Sequence, residues 1–205
     1  MKRALSIDNI LNAKFKTLDF EGEWLRAVGK PEFSGTWFVY GAPKNGKTTF
    51  AMMMAKYLTD FGRGAYNTIE EGASLSIQMA IRRLAMHEVR RKMLVLDKVS
   101  LPDLRKWLRK RNSPDFIIID SVQFAGMRFA EYKQFKKEFA DKLFIYISHV
   151  EGKQPDGQVA KRIWRDANVY FRIEGYRAFP VSRYGGGAPI TIWEEGAAEY
   201  WGLDQ

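Results

Sequence analysis

The chain of 205 residues contains no cysteine. Disulfides, zinc knuckles, iron–sulfur centres and cysteine nucleophiles are therefore excluded. Histidine is nearly as scarce. His87 and His149 are the only two, too few for a histidine-rich metal site. No apolar run approaches the ~20 residues needed to span a bilayer; Phe116–Ile119 and Leu143–Ile147 are typical of the longest. The start, Met1-Lys2-Arg3, is basic, but polar residues follow within a few positions and no signal-peptide core forms. These absences predict a soluble, cytoplasmic protein with no membrane segment. Acidic residues are also in short supply: 24 Asp and Glu stand against 33 Lys and Arg, a net charge of +9. The hydrophobic share, 46%, is that of an ordinary globular chain and excludes wholesale disorder.

The basic excess is concentrated. Between Arg82 and Arg111 there are eleven Lys or Arg but only three acids, Glu88, Asp97 and Asp103. Clustered cations release counterions from a phosphate backbone, so this stretch predicts a polyanionic partner, nucleic acid first.

Residues 1–34 read as an N-terminal segment packing on or linking to the core, because Gly22, Gly29 and Pro31 break any long helix. Residues 35–205 read as one domain. Short β-rich runs at Trp37–Tyr40, Ala65–Thr68, Met93–Leu96, Phe116–Ile119, Phe144–Ile147 and Val169–Ile173 alternate with helix-compatible stretches. The helices are predicted at Lys47–Phe61, Ser74–Glu88, Pro102–Arg111 and Ala130–Lys142. Phe116–Ile119 is apolar at every position, as a strand covered on both faces should be. The alternation predicts an α/β fold, a mostly parallel sheet flanked by helices. Ala178–Val181 and Ile190–Trp193 flank Gly185-Gly186-Gly187 with no helix between them. They predict a C-terminal antiparallel hairpin, with Pro180 suggesting an edge position.

Gly41-Ala42-Pro43-Lys44-Asn45-Gly46-Lys47-Thr48 fits G-x-x-x-x-G-K-[ST] without a mismatch, and Thr49 opens the helix that follows. Such a string arises by chance in a chain this long on the order of 1% of the time. Glycines let backbone N–H groups turn around a phosphate, and the helix N-terminus adds its positive dipole end. Lys47 is placed to neutralise the β/γ-phosphates of ATP and Thr48 to ligate Mg²⁺. A second metal-holding acid is expected at the end of a neighbouring strand, and Phe116-Ile117-Ile118-Ile119-Asp120 supplies Asp120. Ser121 follows rather than Glu, so the water-activating base must come from elsewhere. Thr68-Ile69-Glu70-Glu71 ends the strand after the P-loop helix, and Glu70 could orient the attacking water. The plainer reading of Glu70 and Glu71 is an acidic pair at a helix entry.

Together these pieces resemble the RecA superfamily, in the branch of the RadA/Sms recombination ATPases and the DnaB replicative helicases. Tyr66-Asn67-Thr68-Ile69-Glu70-Glu71, with Ser76 and Gln78, is similar to the RadA-type Y-x-S-x-E-E and its following S-x-Q. Ile119-Asp120-Ser121-Val122-Gln123 is close to I-D-S-I-Q, and Asp166-Ala167-Asn168-Val169 to the helicase D-A-D-V. The resemblance implies a RecA-like P-loop ATPase over roughly residues 35–195. It makes Glu70 the catalytic glutamate and His149, in Ser148-His149-Val150, the γ-phosphate sensor. Ser182-Arg183-Tyr184-Gly185 is similar to the end of K-N-R-F-G, which implies that Arg183 reaches a neighbouring subunit's ATP; Val181 stands where the lysine would be. A homo-oligomer, ring or filament, is implied with it. The zinc finger and protease-like domain of RadA and the N-terminal domain of DnaB have no counterpart, so a bare ATPase core is expected.

In that superfamily DNA contacts come from two loops, here Phe124–Phe129 and Glu151–Lys161. Arg128, Lys153, Lys161 and Arg162 are the candidates for tracking single-stranded DNA. The reading is an ATP-hydrolysing, Mg²⁺-dependent protein acting on DNA as a helicase, recombination or branch-migration motor. The rival is a KaiC-like regulatory ATPase without DNA binding. A nucleoside kinase is disfavoured by Glu70 and by the lack of an arginine-rich lid.

Overall fold

A computed structural model describes residues 4–202; the basic start Met1–Arg3 lies outside them. In chain order the elements are α1 (Ile7–Leu11), α2 (Gly22–Val28), β1 (Gly35–Gly41), α3 (Lys47–Leu58), β2 (Gly64–Thr68), α4 (Leu75–Arg83), β3 (Met93–Asp97), α5 (Leu101–Leu108) and β4 (Phe116–Asp120). They continue as α6 (Phe129–Glu138), β5 (Leu143–Ser148), β6 (Val150–Glu151), β7 (Gln154–Pro155), α7 (Gln158–Asp166), β8 (Val169–Glu174), β9 (Arg177–Ser182), β10 (Ile190–Thr191) and α8 (Glu194–Trp201). The predicted α/β class holds. Eight strands form one sheet in the order β10-β9-β8-β1-β5-β4-β2-β3. The six from β8 to β3 are parallel, and β9 and β10 add an antiparallel flank.

Alternation along the central strands sorts their side chains onto two faces. Trp37, Val39, Phe116 and Ile118 join Phe50, Met54 and Trp24 in one core, under α2 and α3. Phe38, Tyr40, Ile117 and Ile119 join Leu104, Tyr132, Phe135 and Ile163 in the other, under α5, α6 and α7. Leu18, Phe20, Val28 and Phe33 are fully buried in the first core, so much of the segment before β1 is part of the body. No helix of the described residues is long and apolar enough to cross a membrane.

Several sequence expectations shift. The helix predicted over Ser74–Glu88 stops at Arg83, where Lys56 Nζ caps the Leu84 carbonyl at 2.9 Å and Ala85 turns left-handed at φ 49°; a short 3₁₀ turn, Met86–Val89, follows. The C-terminal hairpin is present, but its first strand is not the edge. β9 pairs with β8 along its full length, while the two-residue β10 covers only Arg177 and Ala178. Pro180 therefore has no further strand beside it on the outer flank, which is what a residue without an N–H tolerates. The glycine loop of the hairpin is tied down: Gly187 N–H donates to Ala27 O at 2.9 Å and Ala188 N–H to Arg26 O at 3.1 Å.

Parallel register brings four strand ends to one edge. Thr68 lies opposite Asp120, Asp120 opposite Ile147, and Tyr40 opposite Ser148. β5 runs between β1 and β4, so the P-loop and Asp120 are one strand apart. The loops leaving this carboxyl edge build the site.

Candidate active site

The P-loop leaves β1 at Gly41, whose α-carbon sits so close to β8 that a Cβ there would meet Ile173 O at 2.3 Å. Lys44 and Gly46 both adopt positive φ, 62° and 95°, which curls the backbone amides inward ahead of α3. The twelve-residue α3 starts at Lys47, so its dipole end faces the same hollow. Lys47 Nζ donates to Ala42 O at 2.9 Å, across the loop. Burial lowers its pKa, against the pull of Asp120 and Glu70. Asn45 braces the loop from outside: its Nδ2 donates to Pro43 O at 3.1 Å, and its Oδ1 accepts from Gly175 N–H at 2.8 Å.

Asp120 ends β4 beside this loop. The Tyr66 hydroxyl, from the fully buried middle of β2, donates to Asp120 Oδ2. The Asp120 carboxyl is pushed up to about 6, first by burial and then by Glu70 and Glu71, while Tyr66 and Lys47 pull it down. Glu70 stands between two further groups. His149 Nε2 lies 2.9 Å from its Oε2, and Ser121 Oγ donates to the same oxygen at 3.1 Å. Glu71 turns away to the start of α4, accepting from Ser76 and from the N-cap Ser74 at 3.3 Å. The structure thus divides the acidic pair: Glu71 serves the helix entry and Glu70 faces the cleft.

The cleft holds about 670 Å³. Pro43, Lys44, Gly46, Lys47, Thr48 and Thr49 form its floor, and Glu70, Asp120 and His149 one wall. The opposite wall is absent from the sequence reading: Arg83, Leu84, Tyr176, Ile192 and Trp193. Arg83 donates to Thr49 Oγ1 at 2.8 Å. Tyr176 meets Trp193 edge to face at 5.0 Å, and half of Trp193 is open to solvent. Nothing in the local sequence marks these residues, which arrive through the β8–β9 turn and the strand β10. The one usable signal was Gly175-Tyr176, a tight turn between two β-rich runs.

No protein-family profile matches the chain, and no curated protein matches it in sequence. Solved structures do match. Flagellar accessory protein FlaH from Methanocaldococcus jannaschii superposes with a TM-score of 0.59 at 14% identity, covering 88% of this chain and 96% of that one. The ATPase domain of a DnaB helicase gives 0.53 at 13%, covering 77% and 80%. A KaiC-like protein from the hyperthermophilic archaeon Pyrococcus horikoshii gives 0.51 at 18%, covering 78% and 84%. The fold is that of a RecA-like P-loop ATPase.

On this RecA-like core the remaining predicted residues lie away from the cleft. Arg183 is exposed at the amino end of the parallel strands, its N–H donating to Asn168 O at 3.1 Å, so it does not reach its own P-loop. The second predicted DNA loop is largely structured. β6 and β7 pair as a small hairpin, and Gly157 at φ 81° starts α7, whose Ala160 and Ile163 are buried. Lys161 and Arg162 therefore sit on a helix. Lys161 Nζ is 4.0 Å from Glu151, the Arg162 guanidinium lies 4.9 Å from the Phe129 ring, and Arg128 is 3.5 Å from Glu131. Gln123 ties the two loops together, with its Nε2 donating at 2.8 Å to both Ser148 Oγ and Asp156 O.

Proposed function

We propose that this chain is a Mg²⁺-dependent ATPase that acts on nucleic acid, working as an oligomer. The observation that carries the hydrolytic part is the convergence of Lys47, Thr48, Glu70 and Asp120 on one cleft at the carboxyl edge of the sheet. The curled P-loop amides and the start of α3 receive the phosphates, and Lys47 exchanges the Ala42 carbonyl for a phosphate oxygen. Among the described residues no cluster of three or more His, Cys, Asp or Glu could cage a metal alone. One carboxylate and one hydroxyl, Asp120 and Thr48, suit Mg²⁺, which binds through few protein ligands together with substrate phosphates. When bound it supplies charge neutralisation between the β- and γ-phosphates. Glu70 takes the proton of the attacking water, and His149 and Ser121 hold its Oε2 so that Oε1 is free for that task. Trp193, Tyr176 and Ile192 form an apolar wall beside the phosphate floor, suited to a nucleobase. In this reading Arg183 completes the site of an adjacent subunit.

A KaiC-like regulatory ATPase without DNA binding is the second reading. Its support is that Arg128, Lys161 and Arg162, the expected loop contacts, already have partners within the chain. ATP turnover with and without single-stranded DNA, measured alongside the mass of the particle, tests the proposal. Turnover raised by DNA in an oligomer supports a motor. Turnover indifferent to DNA supports the regulatory reading, and no turnover overturns both.

A further inference from the structure

The basic stretch between Arg82 and Arg111 divides in two once folded. Arg105 and Arg109 both pair with Glu138, Lys106 pairs with Asp103 at 3.1 Å, and Lys92 donates to Thr59 O at 2.9 Å. Arg83 is held by Thr49 at the cleft. Arg90, Arg91, Lys110 and Arg111 differ: all four are exposed, and none has a side-chain hydrogen bond or ion pair among the described residues. Arg63 has the same character, only its backbone N–H being engaged, with Asp115.

The topology gathers these five. Arg63 immediately precedes β2, Arg90 and Arg91 lead into β3, and Lys110 and Arg111 lie in the connection from α5 to β4. β3, β2 and β4 are neighbours in that order, with Gly64 opposite both Met93 and Phe116. Three strand heads ~4.8 Å apart place the cations on a short arc at the amino end of the sheet. That is the end away from the P-loop. Two acids there are already occupied, Glu88 by Lys56 at 2.9 Å and Asp115 by Lys16 at 3.8 Å. Asp60 and Asp141 are the others near this end. Long flexible cations without partners stay in water unless a multivalent anion takes them up, and an arc along a surface suits a linear one.

We infer that Arg63, Arg90, Arg91, Lys110 and Arg111 form a sequence-indifferent binding surface for a nucleic-acid phosphate backbone, at the end of the sheet opposite the nucleotide cleft. This rests on the nucleic-acid reading above but moves the principal contact away from the loops after β4 and β5. Lys153 is the one loop candidate left exposed with no partner among the described residues.

The test is fluorescence anisotropy of a labelled oligonucleotide, single-stranded and as duplex, across a salt series. The proteins are the wild type, the combined variant Arg90→Gln/Arg91→Gln/Lys110→Gln/Arg111→Gln, and Lys153→Gln. Basal ATP turnover without DNA, unchanged in all three, reports intact folding. The combined variant should flatten the plot of log affinity against log salt by about 0.7 per lost contact on single strands and about 0.9 on duplex. Whichever probe shows the larger loss identifies the form preferred. An unchanged slope in that variant, with binding lost in Lys153→Gln, overturns the inference while leaving the nucleic-acid reading standing. Wild-type protein that binds neither probe overturns both. Retention on phosphatidylserine vesicles but on neither oligonucleotide replaces the nucleic acid with an anionic membrane surface.

Discussion

Glu70 and Glu71 are adjacent in sequence and unlike in surroundings, and their substitutions should separate accordingly. Glu70→Gln keeps the shape and removes the base. ATP should bind as before while single-turnover hydrolysis falls on the order of 10²–10⁴-fold. Glu71→Gln loses contacts to Ser74 and Ser76 at the head of α4 and should be much milder. The reverse order would move the base to Glu71. Asp120 carries a different signature. Its ordinary value is 3.8, and the folded protein raises it to about 6. Between those values the native state holds a proton that the unfolded chain has lost, so stability falls as pH rises through the window. Above it the full burden remains. Without divalent metal, Asp120→Asn should therefore be more stable than wild type at neutral pH, by up to about 3 kcal/mol. The gap should close near pH 4, as chemical denaturation in EDTA can show, and the same variant should lose Mg²⁺-dependent turnover. A neutral-pH loss of stability would mean that Asp120 is solvated more freely than its setting beside Tyr66 implies.

At the scale of elements, the α2 connection to the C-terminal hairpin offers a controlled comparison. Gly186 has φ 84°, and a Cβ there would come within 2.5 Å of the Ala27 backbone. Gly187 has φ 128° with nothing within 4 Å of a Cβ. Gly186→Ala adds a backbone clash to conformational strain and should cost about 2–4 kcal/mol. Gly187→Ala should cost clearly less in the same melting experiment, because only the strain remains. These contacts also show which parts of the fold sequence could reveal. The strands around Phe116–Ile119 and the P-loop helix were legible because burial on both faces and the G-x-x-x-x-G-K-T spacing leave local marks. Glu70, Asp120 and His149 were legible because each closes a β-rich run, and parallel register then brings the ends together. The wall of Tyr176, Ile192 and Trp193 was not, since it depends on β9 turning back along β8 and on Asn45 clasping the turn between them. The order within the segment after β5 was likewise hidden: the Gly157 helix start depends on Ala160 and Ile163 finding the core between α6 and the sheet.

For the whole molecule the open question is what completes the cleft. Arg183 is on the opposite end of the sheet from its own P-loop, so a catalytic role for it requires a second copy. Arg183→Ala should bind ATP normally and hydrolyse it poorly, a trans-acting arginine being worth ~10³-fold or more. Mixing Arg183→Ala with Lys47→Ala should restore part of the turnover, because an intact Lys47 site can then meet an intact Arg183. A mixture that co-assembles yet stays inactive would leave Arg183 without a catalytic part. Arg183 and the Arg90–Arg111 cations share the amino end but occupy different flanks, since β8, β1 and β5 separate β9 from β4. A neighbour engaged at one flank need not cover the other.

The Gly175 peptide links the cleft to the end of the described chain. Its N–H is given to Asn45 of the P-loop at 2.8 Å, and its carbonyl accepts the Trp201 indole N–H of α8 at 3.0 Å. A single glycine is therefore gripped from both sides, by the loop that meets phosphate and by the last helix. Any repositioning of Asn45 on filling or emptying the cleft must either be absorbed by that residue or handed on to Trp201. The helix thereby becomes a mechanical readout of occupancy on the outer surface, where another molecule can feel it without entering the cleft.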